Sequence, residues 1–246
     1  MRKIILCIFF PFICSNVFAN FSGGNGSQSN PYLISSKADM VALADSVAKG
    51  NSWSKGKYFE LTNDIIDPLL KPIGTYTQQF QGVFNGNNYS ITLNVSSNDY
   101  VALFSHTESA TIVNLVVNGY VAGNYIVGGI VAEANSSTIS NCQNLAKITG
   151  VNYVGGIVAS IRNSIDSTTI SFCQNLGDIS GSHIGGIVGC AGYAKIIIYN
   201  NMNAGYIIGN GGQYIGGIVG HNDSNNIIYN CINVGVVQLG QGIEGE

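Results

Sequence analysis

The residues suited to chemistry are few in this chain. There are three histidines, His106, His183 and His221, and six cysteines, of which Cys142, Cys173, Cys190 and Cys231 lie beyond the apolar N-terminus. Zinc sites readable from sequence rest on CxxC pairs or an HExxH helix, because ligands must converge from one turn or one helical face. Neither pattern occurs, so no metal and no cofactor are expected. His106-Thr107-Glu108 lacks the helix and the second histidine of a metalloprotease site. Cys190 and Cys231 have no evident partner, and Cys142 and Cys173 are either bridged or reduced and buried. Polysaccharide-cleaving sites need clustered acids with a basic partner to hold uronate. Asp64 and Asp67 are near each other, but Pro68 follows and no base accompanies them. No catalytic residue is therefore expected, and the alternative readings are a β-helix polysaccharide lyase or hydrolase, or a scaffold fragment of a larger surface protein.

One feature does resemble a site. Tyr100, Tyr125, Tyr153, His183 and Tyr214 fall in a row when the repeats described next are aligned, with Tyr125 one residue out of register. Rows of rings can stack on sugar faces, or can pack on one another beside a corner. These residues are the candidate ligand-binding set, with glycans or host and cell-surface components as partners.

The elements that would carry this row are repeated. "YIVGGIVAEA" at 125, "NYVGGIVASI" at 152, "SHIGGIVGCA" at 182 and "QYIGGIVGHN" at 213 place glycine pairs at Gly128-Gly129, Gly155-Gly156, Gly185-Gly186 and Gly216-Gly217. The pairs are 27, 30 and 31 residues apart. "TISNCQNLAKITG" at 138 matches "TISFCQNLGDISG" at 169, with looser copies at 196 and 227. Short apolar runs separated by Gly, Asn and Ser cannot bury a face alone and must stack on their neighbours. A right-handed parallel β-helix follows, with coils of about 27–31 residues rising by roughly 4.8 Å each. Equivalent positions then form columns. Asn144, Asn175, Asn203 and Asn233 predict an amide ladder. Cys142, Cys173, Asn201 and Cys231 form a second column, and Ile148, Ile179, Ile207 and Val237 an interior stack. Lys147 and Asp178 share a column and predict an exposed ion pair worth about 0–1 kcal/mol. The glycine pairs predict a corner with positive φ, or a close backbone approach. They do not read as a phosphate loop, which needs a strand-to-helix setting.

The ends differ from the repeats. "MRK", an apolar run and Val17-Phe18-Ala19 read as a signal peptide cleaved after Ala19, so 1–19 is a targeting segment. Its removal takes Arg2 and Lys3 from ten basic residues and leaves eight against thirteen acidic, a formal charge of −5. That excludes a basic surface for nucleic acid. No later run is long and glycine-free enough for a membrane helix. Residues 20–60 read as a cap: a strand at "PYLI", then a helix over "KADMVALADSVA" started by Ser35 or Ser36, with Met40, Leu43, Ala44 and Val47 on one face. Residues 61–110 read as the first coils and 111–246 as the repeats. The chain stops at "QLGQGIEGE", where another glycine pair is due, so a truncated C-terminus is expected.

"FSGGNGSQSNPYLISSKADMVAL", "YFELTNDI", "FQGVFNGNNYSI", "ALFSHTESATIVNLVV" and the "YVGGIVA" repeats together resemble the GLUG-motif surface proteins, although GGIVG or GGIVA stands where that motif often reads GLVG. The resemblance implies an exported, adhesin-like repeat protein, and similar segments occur in IgA1-protease-like metallopeptidases. It implies a secreted or cell-surface location and a non-catalytic role as a stalk or binding module.

Overall fold

In the computed structural model, the described residues are 21–240 apart from 51, 163, 193–194, 212 and 224–225. The segment 1–19, expected from the sequence to be a targeting segment, and the last six residues lie outside them. Among the described residues the chain is all-β with one helix, wound as a solenoid in which every strand ladder is parallel to its neighbours. Four sheets run along it. An eight-stranded sheet begins at Tyr32–Ile34, continues through Tyr58–Leu61, Val83–Asn85 and Thr138–Ser140, and ends at Ile227–Tyr229. An eleven-stranded sheet forms a second wall, and two five-stranded sheets complete each repeat coil. The first of these contains Ile126–Gly128, Tyr153–Gly155 and His183–Gly185. The second contains Val131–Asn135, Val158–Ile161 and Val188–Ala191.

Register follows the repeat. Gly155 pairs with Gly128 and Gly185, and Asn175 with Asn144 and Asn203. The interior is therefore a set of like-on-like stacks. Ile112, Ile139, Ile170 and Ile198 are fully buried one above another. Ile148, Ile179 and Ile207 stack likewise, but Val237 at the end of that column is 42% exposed, because no described coil lies beyond it. Each buried aliphatic side chain of this kind contributes about 1.5–3 kcal/mol relative to exposure.

The amide ladder is continuous. Asn144 Nδ2 donates to Asn175 Oδ1, Asn175 to Asn203 (both 2.7 Å), and Asn203 to Asn233 at 2.6 Å. Each amide also donates to the carbonyl two residues on, at 2.9–3.1 Å, so one side chain closes a turn and bridges two coils. The glycine pairs lie against this ladder, and their φ angles are not positive. Their reason is space. A Cβ on Gly155 would sit 1.9 Å from the Val158 carbonyl oxygen, and one on Gly156 would sit 2.2 Å from Gly186 O and 2.5 Å from Asn175 Cγ. The left-handed corners are elsewhere, at Asn114, Asn141, Phe172, Asn200 and Asn230, with φ between 51° and 55°. Asparagine tolerates that conformation, whereas Phe172 is strained in it.

Among the described residues all four cysteines are free. Cys142 and Cys173 point the same way, each thiol donating to a carbonyl two residues back, so no bridge forms. In the same column the Cys173 N–H donates to Asn201 Oδ1 at 2.8 Å, and Asn201 Nδ2 reaches Cys231 Sγ at 3.8 Å. The expected Lys147–Asp178 ion pair is not formed: Asp178 instead accepts from the Tyr206 N–H at 3.2 Å. A defined backbone donor supplants a long, solvated lysine here, as the small worth of exposed pairs allows.

The helix spans Lys37–Ala48, with Ser36 as N-cap accepting from the Asp39 N–H. Met40, Leu43, Ala44 and Val47 are buried in the main core, where the helix packs on the strands Tyr32–Ile34 and Ile65–Leu69. Lys71 and Asp45 tie its outer face to the adjoining coil at 2.7 Å.

Candidate functional site

The two five-stranded sheets meet at the glycine pairs, and the bend brings together side chains from both. A small apolar cluster of Ala102, Ile126, Ala132 and Ala159, separate from the main core, sits there beside Tyr100 and Tyr153. The aromatic row is real as geometry. Successive ring centroids are 6.1 Å apart for Tyr100–Tyr125, 6.3 Å for Tyr125–Tyr153, 5.2 Å for Tyr153–His183 and 5.3 Å for His183–Tyr214. Ile126, not Tyr125, pairs with Tyr100 and Tyr153 in the ladder, which leaves the Tyr125 ring 40% exposed. The rings chiefly pack on one another. Burial raises the hydroxyl pKa of Tyr100 and Tyr153 and lowers the imidazole pKa of His183, where His221 adds to the effect.

A second column runs beside the row. His106, Glu133, Ser160, Cys190 and His221 pair in register through successive coils. His106 is buried against the Tyr100 ring at 4.3 Å, with Nδ1 on Ser105 Oγ at 3.0 Å, and burial lowers its pKa to about 4. Glu133 is also buried, its carboxyl pushed up by desolvation. At the far end His221 links two groups. Its Nδ1 lies 3.7 Å from Cys190 Sγ, and its Nε2 lies 2.9 Å from Asp223 Oδ1. The Tyr214 ring packs on His221 at 4.2 Å.

Between row and column opens a groove of about 570 Å³ lined by Tyr125, Tyr153, Arg162, Ser164, Cys190, Gly192, His221 and Asp223. Arg162 organises it. Its guanidinium stands over the Tyr153 ring at 4.6 Å and near that of Tyr125 at 6.0 Å. Burial opposes its charge, but a hydrogen bond to Tyr125 favours it and the guanidinium stays protonated. The groove thus offers aromatic faces, one fixed cation and a Cys–His–Asp set. Of the expected ligand residues, Tyr125 and Tyr153 line it, while Tyr100, His183 and Tyr214 do not. Asp64, the acid weighed for catalysis, accepts from the Ser90 N–H at 2.7 Å and its hydroxyl at 2.9 Å.

Arg162, Cys190, His221 and Asp223 were not drawn together by motif spacing. The signal was nevertheless present. Aligning "IVASIRN", "IVGCAGY" and "IVGHNDS" on their Ile-Val start puts Ser160, Cys190 and His221 in one column and Arg162, Gly192 and Asp223 in the next.

No family model matches the chain. It is 34% identical over 218 residues to the "Putative Gly-rich membrane protein" of Evansella cellulosilytica, a match covering 84% of this chain and 21% of that protein. It is 29% identical over 151 residues to "Halomucin" of Haloquadratum walsbyi, covering 56% of this chain and 2% of that one. The chain therefore spans about a fifth of the first relative's length and a far smaller share of the second's. Among the described residues no helix is long and apolar enough to cross a membrane. Among solved structures, the "putative immunoglobulin A1 protease from Bacteroides ovatus" superposes with a TM-score of 0.65 over 89% of this chain and 80% of that one. At 22% identity this likeness shows the solenoid fold alone.

Proposed function

We propose that this chain is a non-catalytic binding module outside the cell that holds an acidic glycan in the groove at Tyr125, Tyr153 and Arg162. The carrying observation is the guanidinium 4.6 Å from the Tyr153 ring, on the groove wall. Sugar rings lay their apolar faces on aromatic rings, and a fixed guanidinium pairs a carboxylate in two-pronged fashion. A neutral sugar would leave that cation without its partner, which favours uronate-like or sialic-acid-like ligands. Glycoside cleavage by acid–base chemistry takes two carboxyl groups flanking the bond. Among the described groove-lining residues Asp223 is the one carboxylate. The N-terminal targeting pattern and the resemblance to GLUG-motif surface proteins support export, as does the membrane-protein name of one relative.

The test is a glycan array carrying neutral and acidic sugars, probed with the wild-type chain, Tyr153→Ala and Tyr214→Ala. The reading expects selective binding to acidic sugars, lost with Tyr153→Ala and kept with Tyr214→Ala, whose ring is outside the groove. A silent array, or equal loss in both variants, would remove the groove from the account.

A further inference from the structure

Cys190 and His221 come from adjacent coils at paired positions, so their side chains leave the sheet side by side, and Asp223 follows two residues later. One ligand atom from each of the three lies within 4.8 Å of the others. Zn–S bonds of about 2.3 Å and Zn–N bonds of about 2.0–2.1 Å at a tetrahedral angle put sulfur and nitrogen roughly 3.5 Å apart. Cys190 Sγ and His221 Nδ1 already stand at 3.7 Å.

We propose that Cys190, His221 and Asp223 form a zinc-type divalent cation site whose open fourth position faces the groove, so that one carboxylate ligand meets both the ion and Arg162. The ion site stands on its own geometry; its role in ligand capture rests on the reading of the groove given above. Asp223 takes the third position by releasing His221 Nε2 and turning its carboxylate toward the sulfur, within the 4.8 Å that the three ligand atoms span. Thiolate, imidazole and carboxylate together suit zinc and disfavour calcium or magnesium, which take oxygen ligands alone. Cys190 is buried, whereas the His221 and Asp223 side chains are 23% and 21% exposed, so the free position looks onto the groove and not into the wall. Thiolate and carboxylate neutralise a divalent ion. Arg162 then leaves one net positive charge, complementary to an anionic sugar.

Cobalt(II) added to the reduced, metal-free full chain tests the site directly. The expected result is one Co2+ per chain with a thiolate charge-transfer band in the near ultraviolet, displaced by Zn2+. Cys190→Ser and His221→Ala should lose the band while Cys231→Ser keeps it, and Asp223→Asn should weaken binding at least about tenfold. Circular dichroism of each variant separates lost ligation from lost fold. Absence of the band in the wild-type chain, or its persistence in Cys190→Ser, overturns the site. So does His221-dependent acylation of Cys190 by p-nitrophenyl acetate without any band, which would mark a nucleophile instead. A second arm repeats the glycan array with EDTA. Acidic-glycan binding that survives EDTA undiminished overturns the ion's part in capture and leaves the glycan reading standing. A cobalt band with no glycan bound under either condition supports the site and sinks the glycan reading.

Discussion

Replacing Asn175 by alanine probes the ladder where it is most enclosed. The side chain is fully buried and makes three hydrogen bonds: it donates to Asn203 Oδ1 and Gly177 O and accepts from Asn144 Nδ2. Truncation leaves the Asn203 and Gly177 oxygens without this donor. Asn144 keeps its bond to Ala146 O at 3.1 Å, so its loss is partial. A buried polar group left unmade costs about 1–3 kcal/mol, which places the total at about 3–5 kcal/mol. Asn233 has the same sequence context but lies exposed in the last described coil, so Asn233→Ala should cost about 0–1 kcal/mol. Urea unfolding followed by far-ultraviolet circular dichroism measures both. The midpoints are compared only where the slopes agree, since stacked repeats can lose cooperativity. Equal losses in the two variants, or a loss below about 1 kcal/mol for Asn175→Ala, would refute the ladder as a tie between coils.

Other positions give sharper or simpler readouts. Gly156→Ala sets a Cβ 2.2 Å from a backbone oxygen and should cost at least about 3 kcal/mol or prevent folding, whereas Gly56→Ala, whose added Cβ meets nothing within 4 Å, should cost about 1 kcal/mol through its positive φ alone. His106, lowered to about 4 by burial, binds its proton more weakly folded than unfolded, so its contribution is full above pH 6.5 and is lost as pH falls toward 4. At about 1.4 kcal/mol per unit that amounts to about 3 kcal/mol. His106→Phe should flatten the stability–pH curve over that window. In native protein a thiol reagent should label Cys231, which is partly exposed, and spare Cys142 and Cys173, at 1% and 0% exposure, until urea unfolds the chain. Fast labelling of Cys173 in the folded state would contradict its place in the core.

The parallel solenoid was legible because period and register are the same information in a stacked fold. Once the glycine pairs were aligned, Asn175 fell opposite Asn203 and Ile179 opposite Ile207, as the ladders show. The helix was legible for local reasons: a serine cap and four apolar residues on one face. The purpose of the glycine pairs was only half visible. Contact between the Gly156 backbone, the Gly186 oxygen and the Asn175 amide is a property of neighbouring coils, and local φ preferences say nothing of it. The groove was less visible still. Arg162, Cys190 and His221 are about one coil apart in sequence, while motif reading searches short continuous stretches, where metal and catalytic sets on helices and loops lie. The Lys147–Asp178 pair shows the opposite failure. Alignment brought the charges together, but the Tyr206 N–H reaches the carboxylate with less entropy to lose.

On the proposed function, Tyr153 and Arg162 hold an acidic ligand in the groove. Calorimetric titration with the best acidic glycan from the array, against the wild-type chain and Arg162→Ala, tests it most directly. A charge-assisted hydrogen-bonded pair of about 1.5–3 kcal/mol predicts a roughly 10- to 100-fold loss of affinity in the variant. The same variant should bind a carboxyl-reduced form of that glycan as the wild-type chain does. Unchanged affinity for the acidic glycan in Arg162→Ala would contradict the claim.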